Sequence, residues 1–464
     1  RPVRSTPARR VGDARRAKHA GGESVNDQIV ELAEHFDTSR PEMATDPHRP
    51  FEVLDVMRQS FPVKRVERQP RMAGGDGPGW VLTRFDDVTE VFRDDEHFSS
   101  IGILGPSDDD HIPLEHVALE EVDPRVMARM AQRIPMLLDP PEFTGYRRMM
   151  TPLLSPRRVA ERERDTRVLV NRLIDDFIET GECDFHEQLD KPLPGVLTCQ
   201  LLGLPTERWR SFADPIDDFI HREDAGPMAM APTREYEDSG FARMQVPGMM
   251  AMLQVAQQRR QEPRQDMISE LANSEIDGRA LSVYELGAML SILLSGGTET
   301  TTSALGSAFV YLGRNHDVRS RLASDPTLIP GFAEEVLRMW PPIMTFQRIV
   351  KATRSIGGQE VTPGEVMYLS LAGANRDPEQ FDDPHAFQYD RHPNRHVTFT
   401  VGIHRCLGST LARSELRIAI EEVLRRIPDY ELREGDVRLL PHFPAAFGYR
   451  KVGATFTPGT REVA

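Results

Sequence analysis

Residues Phe399-Thr400-Val401-Gly402-Ile403-His404-Arg405-Cys406-Leu407-Gly408 place one cysteine in a turn that opens a helix, with small residues around it. Free N–H groups and the positive end of the helix dipole favour a thiolate at such a position. A thiolate of this kind is a good axial ligand for haem iron, and its electron donation favours O–O bond cleavage. Two other readings compete. A lone cysteine in a globular protein is more often a small buried apolar residue than a ligand, and that is the expectation for Cys183 and Cys199. Zinc is the third, because His396, His404 and Cys406 lie close in sequence. A closed structural zinc site draws ligands from tight pairs, usually with two or more cysteines, and the chain has no Cys-x-x-Cys. Cys406 is set apart by Phe399, Gly402, His404 and Gly408 at fixed offsets.

A second constellation joins an acid to an alcohol. The apolar helical run Leu286-Gly287-Ala288-Met289-Leu290-Ser291-Ile292-Leu293-Leu294 meets Ser295-Gly296-Gly297-Thr298-Glu299-Thr300-Thr301-Thr302-Ser303. Each glycine in a helix interior costs about 1 kcal/mol relative to alanine, and Thr and Ser side chains compete for backbone carbonyls. The expectation is a helix interrupted by a local bulge that admits a small ligand beside Glu299 and Thr300. A water-filled kink, or a close helix crossing at Gly296 and Gly297, explains the segment slightly better when it is taken alone. A carboxylate beside a hydroxyl suits proton delivery.

The loop resembles the haem-ligand loop of the cytochrome P-450 family, Phe-x-x-Gly-x-His-x-Cys-x-Gly, matching at all five positions; Thr400 stands where glycine is usual. The acid–alcohol segment is similar to the family's oxygen-binding groove, (Ala/Gly)-Gly-x-(Asp/Glu)-Thr, on Gly296, Gly297, Glu299 and Thr300. The resemblance implies that Cys406 ligates the iron of haem b (iron protoporphyrin IX), that Thr300 hydrogen-bonds on the oxygen side, and that Glu299 feeds protons inward through water. It makes Glu335, Arg338 and Arg391 a structural triad behind the ligand loop, with Ala374-Asn375-Arg376-Asp377-Pro378 between them also family-like. It assigns the haem propionates to Arg147, Arg348 and His404, with His396 a weaker candidate, and places Phe399 and Gly297 against the cofactor. Phe143 replaces the usual histidine of Asp-Pro-Pro-Glu-His-x-x-x-Arg. The motifs run from about Pro50 to the C-terminus, and the camphor-type bacterial enzymes look nearest. Ala131-Gln132-Arg133-Ile134-Pro135 offers no tyrosine to hold a ketone, so camphor is not the expected substrate.

The elements that must position these residues read as mainly helical with a small β portion. Helical patterns cover Asp86–Asp94, Glu142–Leu154, Ser155–Glu179, Ser282–Arg314, Gly331–Trp340 and Gly408–Arg426. Short strands fit Val63–Glu67, Trp80–Arg84 and part of Glu360–Leu371, with a β-rich piece at Val437–Tyr449. The family fold would seat haem between the long central helix and the cysteine loop. Residues 1–24 are rich in arginine and lack periodicity, a disordered basic tail; residues 25–464 are expected to form a single domain. Met228, Met230, Met244, Met249, Met250 and Met252 fit a flexible lid or irregular core packing equally well.

Composition bounds the function. With 464 residues, 39% hydrophobic and 28% charged, the chain can bury a core large enough for haem. A net charge of −15 argues against general affinity for nucleic acid or anionic membranes. Three cysteines and no long apolar run point to a reducing cytoplasm and no membrane span. No Gly-x-Gly-x-x-Gly or cysteine cluster occurs, so electrons must arrive from separate proteins, which the resemblance implies are a ferredoxin and its NAD(P)H-dependent ferredoxin reductase. Arg147, Arg148, Arg405 and Arg413 are the expected docking cations. By family position, Ile292, Leu293, Ser295, Ile343, Thr345 and Phe447 would line an apolar pocket without a charged anchor. The expected activity is insertion of one oxygen atom from O2 into a small or medium hydrophobic substrate, terpenoid or aromatic, with fatty acids and steroids open. A haem-thiolate peroxygenase, dehydratase or isomerase, and a non-catalytic haem sensor, are the alternatives.

Overall fold

Ser282 opens the longest helix with a capping box: its hydroxyl accepts from Glu285 N at 3.2 Å, and Glu285 Oε2 accepts from Ser282 N at 2.7 Å. The helix then runs 32 residues, Val283–Arg314. Its apolar side chains, among them Leu290, Leu294, Leu305 and Phe309, are buried in the main core; each such burial contributes about 1.5–3 kcal/mol. The computed structural model describes residues 25–38, 40–44, 46–70, 76–103, 133–220, 240–440 and 446–462. The expected tail 1–24, Ala131, Gln132, Met228 and Met230 lie outside these residues.

Helices surround the central one. Pro192–Leu202, Ser409–Arg426, Ile329–Met339 and Gly240–Gln261 all pack against it. The helices expected from sequence form at Phe85–Arg93, Glu142–Met150, Pro156–Asp175, Val283–Arg314, Ile329–Met339 and Ser409–Arg426. Val25–Glu34, Arg49–Ser60, Pro192–Leu202, Trp209–Ile220 and Gly240–Gln261 are additional.

One sheet runs in the order Val63–Pro70, Asp76–Leu82, Val366–Ser370, Thr345–Val350, Phe98–Ser99, antiparallel except where Val366–Ser370 pairs with Asp76–Leu82. A second joins Glu431–Leu439, Tyr449–Thr455 and Glu182–Asp184. The C-terminal β region therefore flanks Val437–Tyr449 rather than filling it, because Glu431–Leu439 begins earlier and Tyr449–Thr455 ends later.

The expected interruption of the central helix does not occur: helical structure passes through Gly296 and Gly297. Its hydroxyls cap carbonyls within the helix instead of breaking it, Thr298 to Leu294 O at 3.1 Å and Thr300 to Gly296 O at 3.0 Å. Gly297 serves a close crossing, since a β-carbon there would lie 2.8 Å from Thr198 Oγ1 of Pro192–Leu202. Gly296 faces open space, with nothing within 4 Å of where a β-carbon would stand.

Candidate active site

The cysteine loop is a tight backbone structure. Cys406 N donates to Phe399 O at 2.9 Å and Thr400 N to Val397 O at 2.8 Å, which folds residues 397–406 back on themselves. Two residues take left-handed backbone, Thr400 with φ 55° and Gly402 with φ 78°. The first explains why glycine is usual where this chain has Thr400. At Gly402 glycine is obligatory, because a β-carbon would lie 2.2 Å from the Phe92 carbonyl oxygen. The helix Ser409–Arg426 starts just beyond the cysteine, as expected.

The Cys406 side chain is accessible to solvent, yet enough protein surrounds the sulfur that burial raises the thiol pKa. The Gly408 N–H and the charges of Arg147, Arg413 and Arg405 pull it back down.

Cations gather beside the loop. Arg348 is 7% exposed, and its guanidinium donates to the backbone of Gln347 at 2.8 Å without an ion-pair partner among the described residues. Burial pulls its pKa down to about 10, and Asp139 only partly offsets this. A buried arginine short of an anion fits a haem propionate. Arg147, half-buried, likewise makes no ion pair among the described residues, and burial lowers its pKa while the charge of Cys406 supports it. His404 meets Ser100 Oγ at 3.3 Å through Nε2, and its ring packs on Phe143 with centroids 4.1 Å apart. Burial first, and then Arg348, hold its pKa at about 4, so the ring is neutral. Phe143 thus supplies a face for His404 in place of the usual second imidazole. Ser99, Ser100 and Asp139 carry no motif that singles them out in sequence: Ser99 Oγ donates to Asp139 Oδ2 at 2.6 Å and Ser100 N to Oδ1 at 2.9 Å. Only the Asp139-Pro140-Pro141 run hints at them.

Glu299 and Thr300 lie half-buried on the central helix, one turn beyond Gly296. Thr300 gives its hydroxyl hydrogen to Gly296 O, which leaves its oxygen as an acceptor. Glu299 Oε1 accepts from Ser303 Oγ at 3.2 Å.

The three expected triad members meet. Arg338 Nη2 and Nε reach Glu335 at 2.7 and 2.8 Å, and Arg391 Nε reaches Glu335 Oε1 at 3.2 Å. Gln388 N and Asn394 Nδ2 add donors at 2.9 Å each, and Arg338 Nη1 donates to Asn375 O and Pro384 O. Burial alone would raise the Glu335 pKa, but these donors lower it. The chain before the cysteine loop is thereby fastened to Ile329–Met339.

Several expectations are corrected. His396 is bound to Glu334 Oε2 at 3.1 Å, so it faces that carboxylate rather than a propionate. Arg413 is engaged by the same Glu334 at 2.6 and 2.9 Å and lies over the Phe399 ring at 4.3 Å, so it is not a free docking cation. Phe447 is 1% exposed and packs with Phe51 and Tyr449, ring centroids 5.7 and 5.9 Å away, as core rather than pocket wall. Ile292, Leu293, Ser295, Ile343 and Thr345 remain half-buried; Ile343 pairs with Ala446 and Thr345 with Ser370.

Residues 241–447 match the cytochrome P450 family model. The chain is 35% identical over 336 residues to a steroid C26-monooxygenase of Mycobacterium tuberculosis (strain CDC 1551 / Oshkosh), covering 70% of this chain and 87% of the relative. It is 28% identical over 387 residues to the polyketide biosynthesis cytochrome P450 PksS of Bacillus subtilis (strain 168), covering 83% and 90%. Among solved structures, CYP109E1 from Bacillus megaterium in complex with testosterone superposes with a TM-score of 0.74 at 25% identity, covering 89% of this chain and 98% of that one. Among the described residues, no helix is long and apolar enough to cross a membrane. The extent of the likeness to the steroid C26-monooxygenase, together with the matched family and fold, shows that the chain belongs to the cytochrome P450 family of monooxygenases, which bind haem b through a cysteine thiolate.

Proposed function

We propose that Cys406 is the haem ligand of a ferredoxin-supported monooxygenase acting on a hydrophobic substrate without a charged anchor. The observation that carries this reading is the convergence of a solvent-accessible Cys406 with the buried, ion-pair-free Arg348 and the neutral His404. Arg147, Arg348 and His404 would hold the propionates, and Phe399 and the triad behind it would keep the loop rigid. Haem supplies the dioxygen chemistry when bound. The chain's own contribution is the timing of protons: Thr300 presents an acceptor oxygen on the distal side, and Glu299 exchanges protons with solvent. This pair supports O2-driven turnover over the peroxygenase, dehydratase and isomerase alternatives.

A basic concavity of ≈ 510 Å³ supports an acidic electron donor. Arg93, Arg395 and Arg405 line it together with Phe399, His396 and the Glu334-bound Arg413, with no carboxylate among its described lining residues. Arg148, exposed on Glu142–Met150, is a further cation expected to help steer a ferredoxin. For substrate, the half-buried Ile292, Leu293, Ser295 and Ile343 offer apolar contact and one hydroxyl. The relatives' names bring steroid and polyketide skeletons beside the terpenoid and aromatic compounds expected from sequence.

The test is NADH-driven, O2-dependent product formation with a surrogate ferredoxin and reductase, on compounds first chosen because they change the iron spin state. Cys406→Ser should abolish both turnover and the thiolate-type shift of the reduced carbon monoxide spectrum. Survival of that shift would show that another residue ligates the iron.

A further inference from the structure

Four hydroxyl side chains inside the central helix share one habit that Ser303 does not follow. Thr298, Thr300 and Ser307 donate to the backbone carbonyl four residues back, at 3.1, 3.0 and 2.8 Å, and the Thr302 hydroxyl lies 3.2 Å from its own such carbonyl and 3.1 Å from Asp190 O. For Ser303 that carbonyl belongs to Glu299. Its hydroxyl donates instead to the Glu299 carboxylate, reaching Oε1 at 3.2 Å. Ser303 is 3% exposed, so the choice is made by packing and not by solvent.

The packing comes from the C-terminal sheet. A β-carbon on Gly448 would lie 2.5 Å from Ser303 Oγ and 2.8 Å from Ser303 Cβ, so only a residue without a side chain fits there. Gly448 is itself held in place: its carbonyl accepts from Leu440 N at 3.1 Å, Phe447 N donates to Pro342 O at 2.9 Å, and Ala446 bridges to Ile343. Backbone fixed at two points thus closes the space beside the Ser303 hydroxyl.

We propose that Ser303 is a positioning residue for Glu299, holding one carboxylate oxygen across a single helical turn, with Gly448 keeping Ser303 in the rotamer that does so. The acid then keeps one orientation as it takes protons from solvent and releases them toward Thr300. A hydrogen bond to a charged acceptor is stronger than one to a carbonyl, which favours this arrangement wherever the neighbour leaves room for it. The proposal rests on the proton-delivery role given to Glu299 above.

Four haem-loaded variants test it: Glu299→Gln, Ser303→Ala, their double mutant, and Gly448→Ala. Each is read by the fraction of electrons lost to hydrogen peroxide, by the carbon monoxide stretching frequency of the reduced protein, and by the crystallographic position of residue 299. Ser303→Ala should raise the peroxide fraction by about three- to tenfold, the worth of one hydrogen bond. It should also shift the stretching frequency and release the Glu299 carboxylate from its single position. In the Glu299→Gln background it should add nothing, and Gly448→Ala should reproduce it by displacing the serine hydroxyl. If Glu299→Gln raises peroxide while Ser303→Ala leaves peroxide and carboxylate unchanged, the positioning role is wrong and proton delivery stands. If Ser303→Ala has its full effect in the double mutant, the serine acts on the fold and the proposal fails. Normal coupling in Glu299→Gln overturns proton delivery and this proposal with it. The comparison of Ser303→Ala with Glu299→Gln decides these outcomes even if Gly448→Ala does not fold.

Discussion

Thr300 has one hydrogen to give, and it gives it to Gly296 O at 3.0 Å. In the proposed reading its side chain therefore serves as an acceptor, able to hold a protonated partner in place but not to be the first proton source. In that reading the supply of protons falls to Glu299, the preceding residue. It follows that Thr300→Ala should leave substrate binding and reduction intact while diverting electrons to hydrogen peroxide. Product per NADH should fall by about a hundredfold, the low end of general acid–base contributions. Thr300→Ser, which keeps the oxygen, should recover most of the yield. Equal coupling in wild type and Thr300→Ala would remove the residue from the proton path.

At the scale of elements, the cysteine loop depends on Phe85–Arg93 as much as on its own turns. The carbonyl of Phe92 presses on Gly402, where the backbone has φ 78° and a β-carbon would stand 2.2 Å away. Gly402→Ala should cost about 1–2 kcal/mol from left-handed backbone alone, with the steric clash added. A lower melting temperature and reduced haem content after purification are expected; full haem occupancy with unchanged melting would show that the two elements do not press together. Such contacts explain what the sequence can and cannot disclose. The loop is legible because ligand chemistry forces residue types at fixed offsets, and Glu335, Arg338 and Arg391 because three spacings agree. Pro192–Leu202 is not, since nearly every side chain from Pro192 to Leu202 is buried and no polar face marks a period. The central helix admits two readings because its glycines both weigh against helix and permit a close crossing; the crossing forms at Gly297, while its partner Thr198 has no local signature. Phe447 misleads for a related reason: an apolar side chain looks the same in sequence whether it meets core or pocket.

For the whole molecule, buried carboxylates pull stability in opposite directions with pH. Glu285 and Glu334 are held at about 2: burial raises both, but Arg279, Tyr146 and Ser282 outweigh it at Glu285, and His396 and Arg413 at Glu334. Because their folded pKa values are depressed, their contribution is complete above the ordinary carboxylate range and is lost as pH falls from about 4.3 toward 2. Asp190 has the other sign. It is 0% exposed, neither carboxylate oxygen has a hydrogen-bond partner among the described residues, and burial raises its pKa well above 3.8. The folded chain holds this proton to a higher pH than the unfolded chain does, so folding takes up a proton between the two and stability drops as pH rises above about 4. Asp190→Asn keeps the shape and removes that proton uptake. The denaturation midpoint in urea should therefore rise for Asp190→Asn at pH 7.5, and the gain should shrink as the pH falls through and below about 3.9, where both states of the wild-type residue become largely protonated. A gain of the same size at both pH values would mean that packing, and not ionisation, sets the effect.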